Sequence, residues 1–318
     1  MSKIVIRIIL IIAILLLLTA ISFVGYGIYK KTTLNIPNPV ATIEIEGYGN
    51  IKVELYPDKA PNTVANFIRL ANRGFFNNSN FHRVVPEFVV QGGAKNGDTL
   101  ASPTLEDIYD LDQVLNDKDV FEKTLDEFYD GEYTIDGKAI TSYSTFETYK
   151  KSLENNETIE DKFEDFLDVE YSIKGEFLAN KYDTNNLRHE EGVISMARSD
   201  YTAYGYYEES YNSAGSQFFI MVGDNSYLNG LYAPFGKVIE GLDIAKKISD
   251  IEVYYRSEDV DEDFETPKDE DGNNIDADTP KEKPVIKSIT VETYGIDYGI
   301  PEVVKIFDIN SMFSGLNY

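Results

Sequence analysis

Between Phe81 and Gly93 the chain reads Phe-His-Arg-Val-Val-Pro-Glu-Phe-Val-Val-Gln-Gly-Gly, setting Arg83 and Gln91 among aromatic and aliphatic neighbours. Far downstream, Ser213 to Ile220 answers with Ser-Ala-Gly-Ser-Gln-Phe-Phe-Ile. An arginine fork is always charged and presents several donors, a glutamine both donates and accepts, and aromatic rings build an apolar wall. There is no Cys, which excludes a thiolate nucleophile, disulfides and a lipid-attachment cysteine. Only two histidines occur, His82 and His189, too few for a His-rich zinc site. A hydrolase using Ser195 or Ser216 with His189 lacks the nucleophile-elbow pattern. The acidic run Asp269 to Asn273 lacks the spacing and terminal Glu of a calcium loop. No metal or cofactor is implied.

The elements that must hold these residues are short. Residues 41–46 and 51–56 alternate apolar and polar around Gly47-Tyr48-Gly49-Asn50, the signature of a β-hairpin. A helix is expected next, with Pro61 near its start, Val64, Phe67, Ile68 and Ala71 on one face, and Gly74 past its end. Further strands are expected at 80–85, 87–91, 193–197, 217–222, 234–239 and 285–291, with a second helix at 241–249. Many short strands and two amphipathic helices predict a mainly β protein built on a closed antiparallel barrel.

The two runs resemble the signature segments of cyclophilin-type peptidyl-prolyl isomerases, and the resemblance covers about 39–97 and 171–295. It implies a closed eight-stranded barrel with a helix capping each open end. It also implies site roles. Arg83 matches the family's catalytic arginine and Gln91 the glutamine that orients it. Phe88, Val89, Phe219 and Leu228 match the lining of the proline pocket, Ala197 and Arg198 the edge that pairs with substrate, and Gln217 a further substrate contact. Tyr227 and Tyr232 stand where other members carry Trp and His at the pocket rim, Ala214 replaces a rim Asn, and His82 and His189 read as structural.

The implied reaction is rotation about an X–Pro amide, whose barrier is roughly 18–20 kcal/mol because resonance must be broken. It needs an apolar slot for the ring, a fixed cation near the prolyl amide and donors for the flanking peptide. The implied partners are proline-containing polypeptides. The alternative is a non-catalytic proline-peptide-binding or scaffold module.

Outside the barrel the chain divides further. Ile8 to Val24 carries no charge, and with the residues up to Tyr29 it is long enough to cross a bilayer. We therefore expect an N-terminal transmembrane anchor over 1–31, a linker at 32–38, and a membrane protein with its catalytic part outside the cytoplasm; a cleaved signal peptide is the rival. Residues 98–170 read as an acidic helical insertion, with stripes at Phe121, Leu125 and Phe128, at Phe146, Tyr149 and Leu153, and at Ile159, Phe163, Phe166 and Leu167. Ser144 and Glu147 are a candidate capping box. A disordered acidic loop is the competing reading, and the insertion is where a protein partner would be recruited.

Residues 257–283 read as a solvated acidic loop and 296–318 as a C-terminal tail. Residues 105–170 hold 21 Asp/Glu against 6 Lys/Arg, and 257–283 hold 12 against 3, so these segments account for most of the net charge of −26. That field repels phosphates and argues against nucleic acid. Tyr201, Tyr204, Tyr206, Tyr207 and Tyr211 crowd the loop before Ser213, either to grip an extended polypeptide or as a polar-aromatic surface.

Overall fold

The computed structural model describes residues 36–97, 99, 101–153, 157–261 and 264–309. The strands in chain order are β1 (Val40–Ile45), β2 (Gly49–Leu55), β3 (Ser79–Val85), β4 (Val89–Gly92), β5 (Tyr133–Ile135), β6 (Lys138–Ile140), β7 (Tyr171–Ser172), β8 (Val193–Met196), β9 (Phe218–Met221), β10 (Pro234–Glu240), β11 (Val285–Glu292) and β12 (Val304–Lys305). Eight of them close into a barrel in the order β1-β11-β3-β4-β9-β8-β10-β2. Every pairing in it is antiparallel. Closure leaves no open edge, which removes the liability of unpaired backbone groups.

Two helices each bury one face in the barrel core. Pro61–Asn72 contributes Val64, Phe67, Ile68, Leu70 and Ala71, and Leu242–Ser249 contributes Ala245 and Ile248. Pro at the first turn costs the earlier helix nothing, because that N–H has no helical partner. Its N-cap, Ala60, has no capping side chain. The buried carboxylate of Glu176 does the work instead, accepting from Asn62 N at 3.0 Å, Thr63 N at 2.8 Å and Thr63 Oγ1 at 2.7 Å. Burial raises the Glu176 pKa while those hydrogen bonds lower it. This cap ties the chain just after the insertion back to the first helix.

Residues 101–153 and 157–170 are folded around an aromatic core. Helices Lys118–Tyr129 and Tyr143–Lys150 flank the β5–β6 hairpin, and the ring of Phe121 lies 4.6 Å from that of Phe146 and 5.2 Å from that of Phe166. The third stripe is divided: Ile159 starts a four-residue helix, Phe163 ends it, and Phe166 and Leu167 belong to a 3₁₀ turn. The capping box sits two residues earlier than the sequence suggested. Ser142 is the cap and exchanges hydrogen bonds with Thr145, while Ser144 and Glu147 lie inside the helix. Arg69 Nε donates to Ile108 O at 2.7 Å and Tyr171 Oη to Asn66 Oδ1 at 2.7 Å, fastening this region to the barrel helix.

The acidic segment after the second barrel helix is mostly exposed, but Asp278 is buried. The expected membrane anchor lies outside the described residues. Among the described residues no helix is long and apolar enough to cross a membrane.

Candidate functional site

Strands β4, β8 and β9 are buried at every position or nearly so, unlike strands with one wet face. The cause is a second apolar cluster outside the barrel. Inward-facing Val84, Val90, Ile194, Phe218 and Ile220 join the main core, whereas Val89, Val193, Phe219 and Met221 form a separate patch with Val85, Phe88, Ala197, Leu228 and Tyr232.

The pleat explains how Arg83 reaches this outer patch. A bulge between Phe81 and Arg83 breaks the alternation of β3, leaving Phe81 and Val84 in the core and Arg83 half-buried. Bulges re-aim side chains in this way. Arg83 pairs with Gln91, Gln91 with Phe219, and Phe219 with Ser195, so one row crosses four strands. Just beyond Gln91, a Cβ on Gly92 would fall 2.7 Å from Asn80 O, and Gly93 has φ +85° against the Phe218 ring. Both positions need glycine.

Arg83, Phe88, Val89, Gln91, Ala197, Arg198, Phe219, Leu228 and Tyr232 line one cavity of about 100 Å³. The sequence named all nine. Gln217 is not in that wall; its Oε1 accepts from Gln91 Nε2 at 3.2 Å and its Nε2 donates to Thr99 O at 2.9 Å. Tyr227 is 88% exposed and lies outside the lining. Arg198 stands in the wall, but its guanidinium is spent internally, donating to Leu231 O, Ser199 O and Ser210 Oγ between the rings of Tyr232 and Tyr211. Arg83 remains 37% exposed at the mouth, 5.9 Å from the Phe88 ring centroid.

Two larger cavities flank this one. The first, about 550 Å³, runs past Gln91, Ala197, Arg198 and Gln217 to Ile306 and Phe307 of the tail. The tail is held by β12 pairing with β7, and Phe307 packs on Tyr201 and Tyr206. Tyr211 is likewise engaged, against Phe177. The second, about 540 Å³, is shared by His82, Arg83, Gln91 and Gln217 with Tyr254 and the acidic segment. Sequence reasoning missed Phe307, Tyr254 and Asp278, because each lies in a stretch whose local pattern is polar or irregular.

Both histidines are neutral supports. Burial lowers the His82 pKa to about 4, helped by Lys283 and Arg83 and opposed by Gln217. Burial lowers that of His189 to about 4, opposed by its hydrogen bond to Asn229. His189 stacks on Phe219 and shares a 3.1 Å hydrogen bond with Ser195, backing the cavity wall. Ser195 is fully buried, so it cannot meet a substrate as a nucleophile.

What the cavity offers is a small space walled on one side by Phe88, Val89, Phe219 and Leu228, with the Arg83 guanidinium and the Gln91 amide also in its lining. Its lining contains no His, Cys, Ser, Thr, Asp or Glu. Residues 40–290 match the family model described as cyclophilin type peptidyl-prolyl cis-trans isomerase/CLD. The chain is 29% identical over 209 residues to peptidyl-prolyl cis-trans isomerase B of Bacillus subtilis (strain 168), covering 66% of this chain and 90% of that protein. It is 24% identical over 252 residues to peptidyl-prolyl cis-trans isomerase B of Escherichia coli (strain K12), covering 77% of this chain and 94% of the other. A Cryptosporidium parvum cyclophilin-type structure aligns with a TM-score of 0.44 at 19% identity, over 80% of this chain and 96% of that one. The family match spans most of the sequence, and the chain belongs to the cyclophilin-type family of peptidyl-prolyl cis–trans isomerases.

Proposed function

With that membership as premise, we propose that the chain speeds proline-limited folding of exported proteins by binding the twisted X–Pro amide at Arg83. The observation that supports it most is a single juxtaposition: the Arg83 guanidinium at the mouth of a slot walled by Phe88, Val89, Phe219 and Leu228. The pyrrolidine ring takes the apolar slot. As the amide twists and resonance is lost, the nitrogen lone pair localises and Arg83 can donate to it or hold the prolyl carbonyl. Gln91, paired to Gln217, holds the adjacent peptide. Only interactions stronger in the twisted state than in either planar form accelerate the rotation, and each tenfold takes about 1.4 kcal/mol.

The test is isomerisation of a proline peptide by the full chain and by Arg83→Ala. Losing one preorganised donor should cost about 10²–10³-fold in rate. Equal rates would end the catalytic assignment of Arg83.

The place of action belongs to the same proposal. An uncharged run from Ile8 to Val24 would hold the chain in a membrane with the barrel outside the cytoplasm, where unfolded exported chains emerge. Protease added to intact cells should then digest the barrel. Digestion only after lysis would reject this placement.

A further inference from the structure

Asp278 comes from the acidic segment, yet its side chain is only 4% exposed. Two guanidinium groups face it: Arg83 Nη2 lies 3.5 Å from Oδ2, and Arg256 Nη1 lies 3.7 Å from Oδ1. The Ser257 hydroxyl donates to Oδ2 at 2.7 Å. The backbone is tied in as well. Val84 N donates to Asp278 O at 2.9 Å, Asp278 N donates to Tyr255 O at 2.9 Å, and Arg256 Nη1 donates to Val84 O. The backbone that carries the carboxylate is thus anchored to Val84, the residue next to Arg83 in β3.

An arginine on an outer strand face has many rotamers, and a donor that must be aimed loses effect when it wanders. We propose that Asp278 is a positioning residue for Arg83, gripping one edge of the guanidinium so that its other donors stay turned to the prolyl amide. This rests on the reading of Arg83 above. Arg256 completes the logic: a carboxylate alone would cancel the charge Arg83 needs, but two guanidinium groups around one carboxylate leave the cluster cationic. It also satisfies a buried carboxylate that would be costly if unpaired.

The test is a four-variant cycle in the full chain: wild type, Asp278→Asn, Arg83→Ala and the double variant, each measured for kcat, KM and thermal midpoint. Asn keeps the shape and can still accept from Ser257. Asp278→Asn should lower kcat/KM about tenfold, mainly through kcat, and should cause no further loss once Arg83 is gone. An equal loss in both backgrounds would make Asp278 merely structural and overturn the proposal. So would full activity of Asp278→Asn beside an impaired Arg83→Ala, which leaves the arginine reading intact. If Arg83→Ala matches wild type, both readings fall together. Should Asp278→Asn fail to fold, Ser257→Ala loosens the same carboxylate. Its smaller loss, about threefold, should likewise vanish in the Arg83→Ala background.

Discussion

His82 and His189 are buried bases whose protonation is suppressed by the fold, each with a pKa near 4 against 6.5 when exposed. Between those limits the unfolded chain binds more protons than the folded one. Their contribution is therefore fully present above about pH 6.5 and is lost as pH falls toward 4, with a slope of at most about 1.4 kcal/mol per pH unit for each. We expect the free energy of urea unfolding to drop between pH 6.5 and 5, and His82→Gln to remove one histidine's share of that slope. A variant profile parallel to wild type would show that His82 titrates alike in both states. The nine cavity residues were legible through the resemblance to a known family, whose segments carry them. Asp278 was not, since nothing in its own neighbourhood distinguishes a buried carboxylate from the exposed ones around it. Only the fold brings Arg83 and Arg256 to it.

At the scale of elements, period-two alternation found the β1–β2 hairpin, and the apolar stripe with flanking Pro61 and Gly74 found the first barrel helix. Strand β3 hid its bulge, because Phe81, His82 and Val84 are all buried and the alternation is broken where the site needs it. Strands β4, β8 and β9 read as plain apolar runs, and the second cluster that covers their outer face draws on distant segments. The capping box was misplaced by two residues because Ser142 and Ser144 offer the same chemistry locally, and the partner of Ser142 is Thr145 where the usual pattern has Glu or Gln. The aromatic core of residues 101–153 and 157–170 allows a sharp expectation. Phe121 touches Phe146, Phe163 and Phe166 and is fully buried. Phe121→Ala should cost about 3–5 kcal/mol by cavity formation. Because none of these rings lines the cavity beside Arg83, kcat/KM at a temperature where the variant is folded should stay within about twofold of wild type, a change below 0.5 kcal/mol. A full loss of turnover in the folded variant would mean this region shapes the site.

For the molecule as a whole, charge is what sets this chain apart from a bare barrel. The net charge is −26, concentrated in 105–170 and 257–283. Both segments reach the site region: Glu170 lines one flanking cavity, and Asp269 and Asp276 line the other. A field of this sign draws cationic chains toward the slot and repels anionic ones, and it fades once the Debye length shrinks, from about 30 Å at 0.01 M salt to about 8 Å at 0.15 M. Proline peptides flanked by Lys should therefore show a kcat/KM that falls roughly three- to tenfold as salt rises across that range, while Glu-flanked peptides should gain. Lys281 and Lys283 in the second cavity, and Arg83 itself, work against the trend at short range, so the difference should be largest when the charges lie several residues from the proline. Matching the two peptide series in length and proline context isolates the effect. If both respond to salt alike, the acidic segments do not select clients by charge.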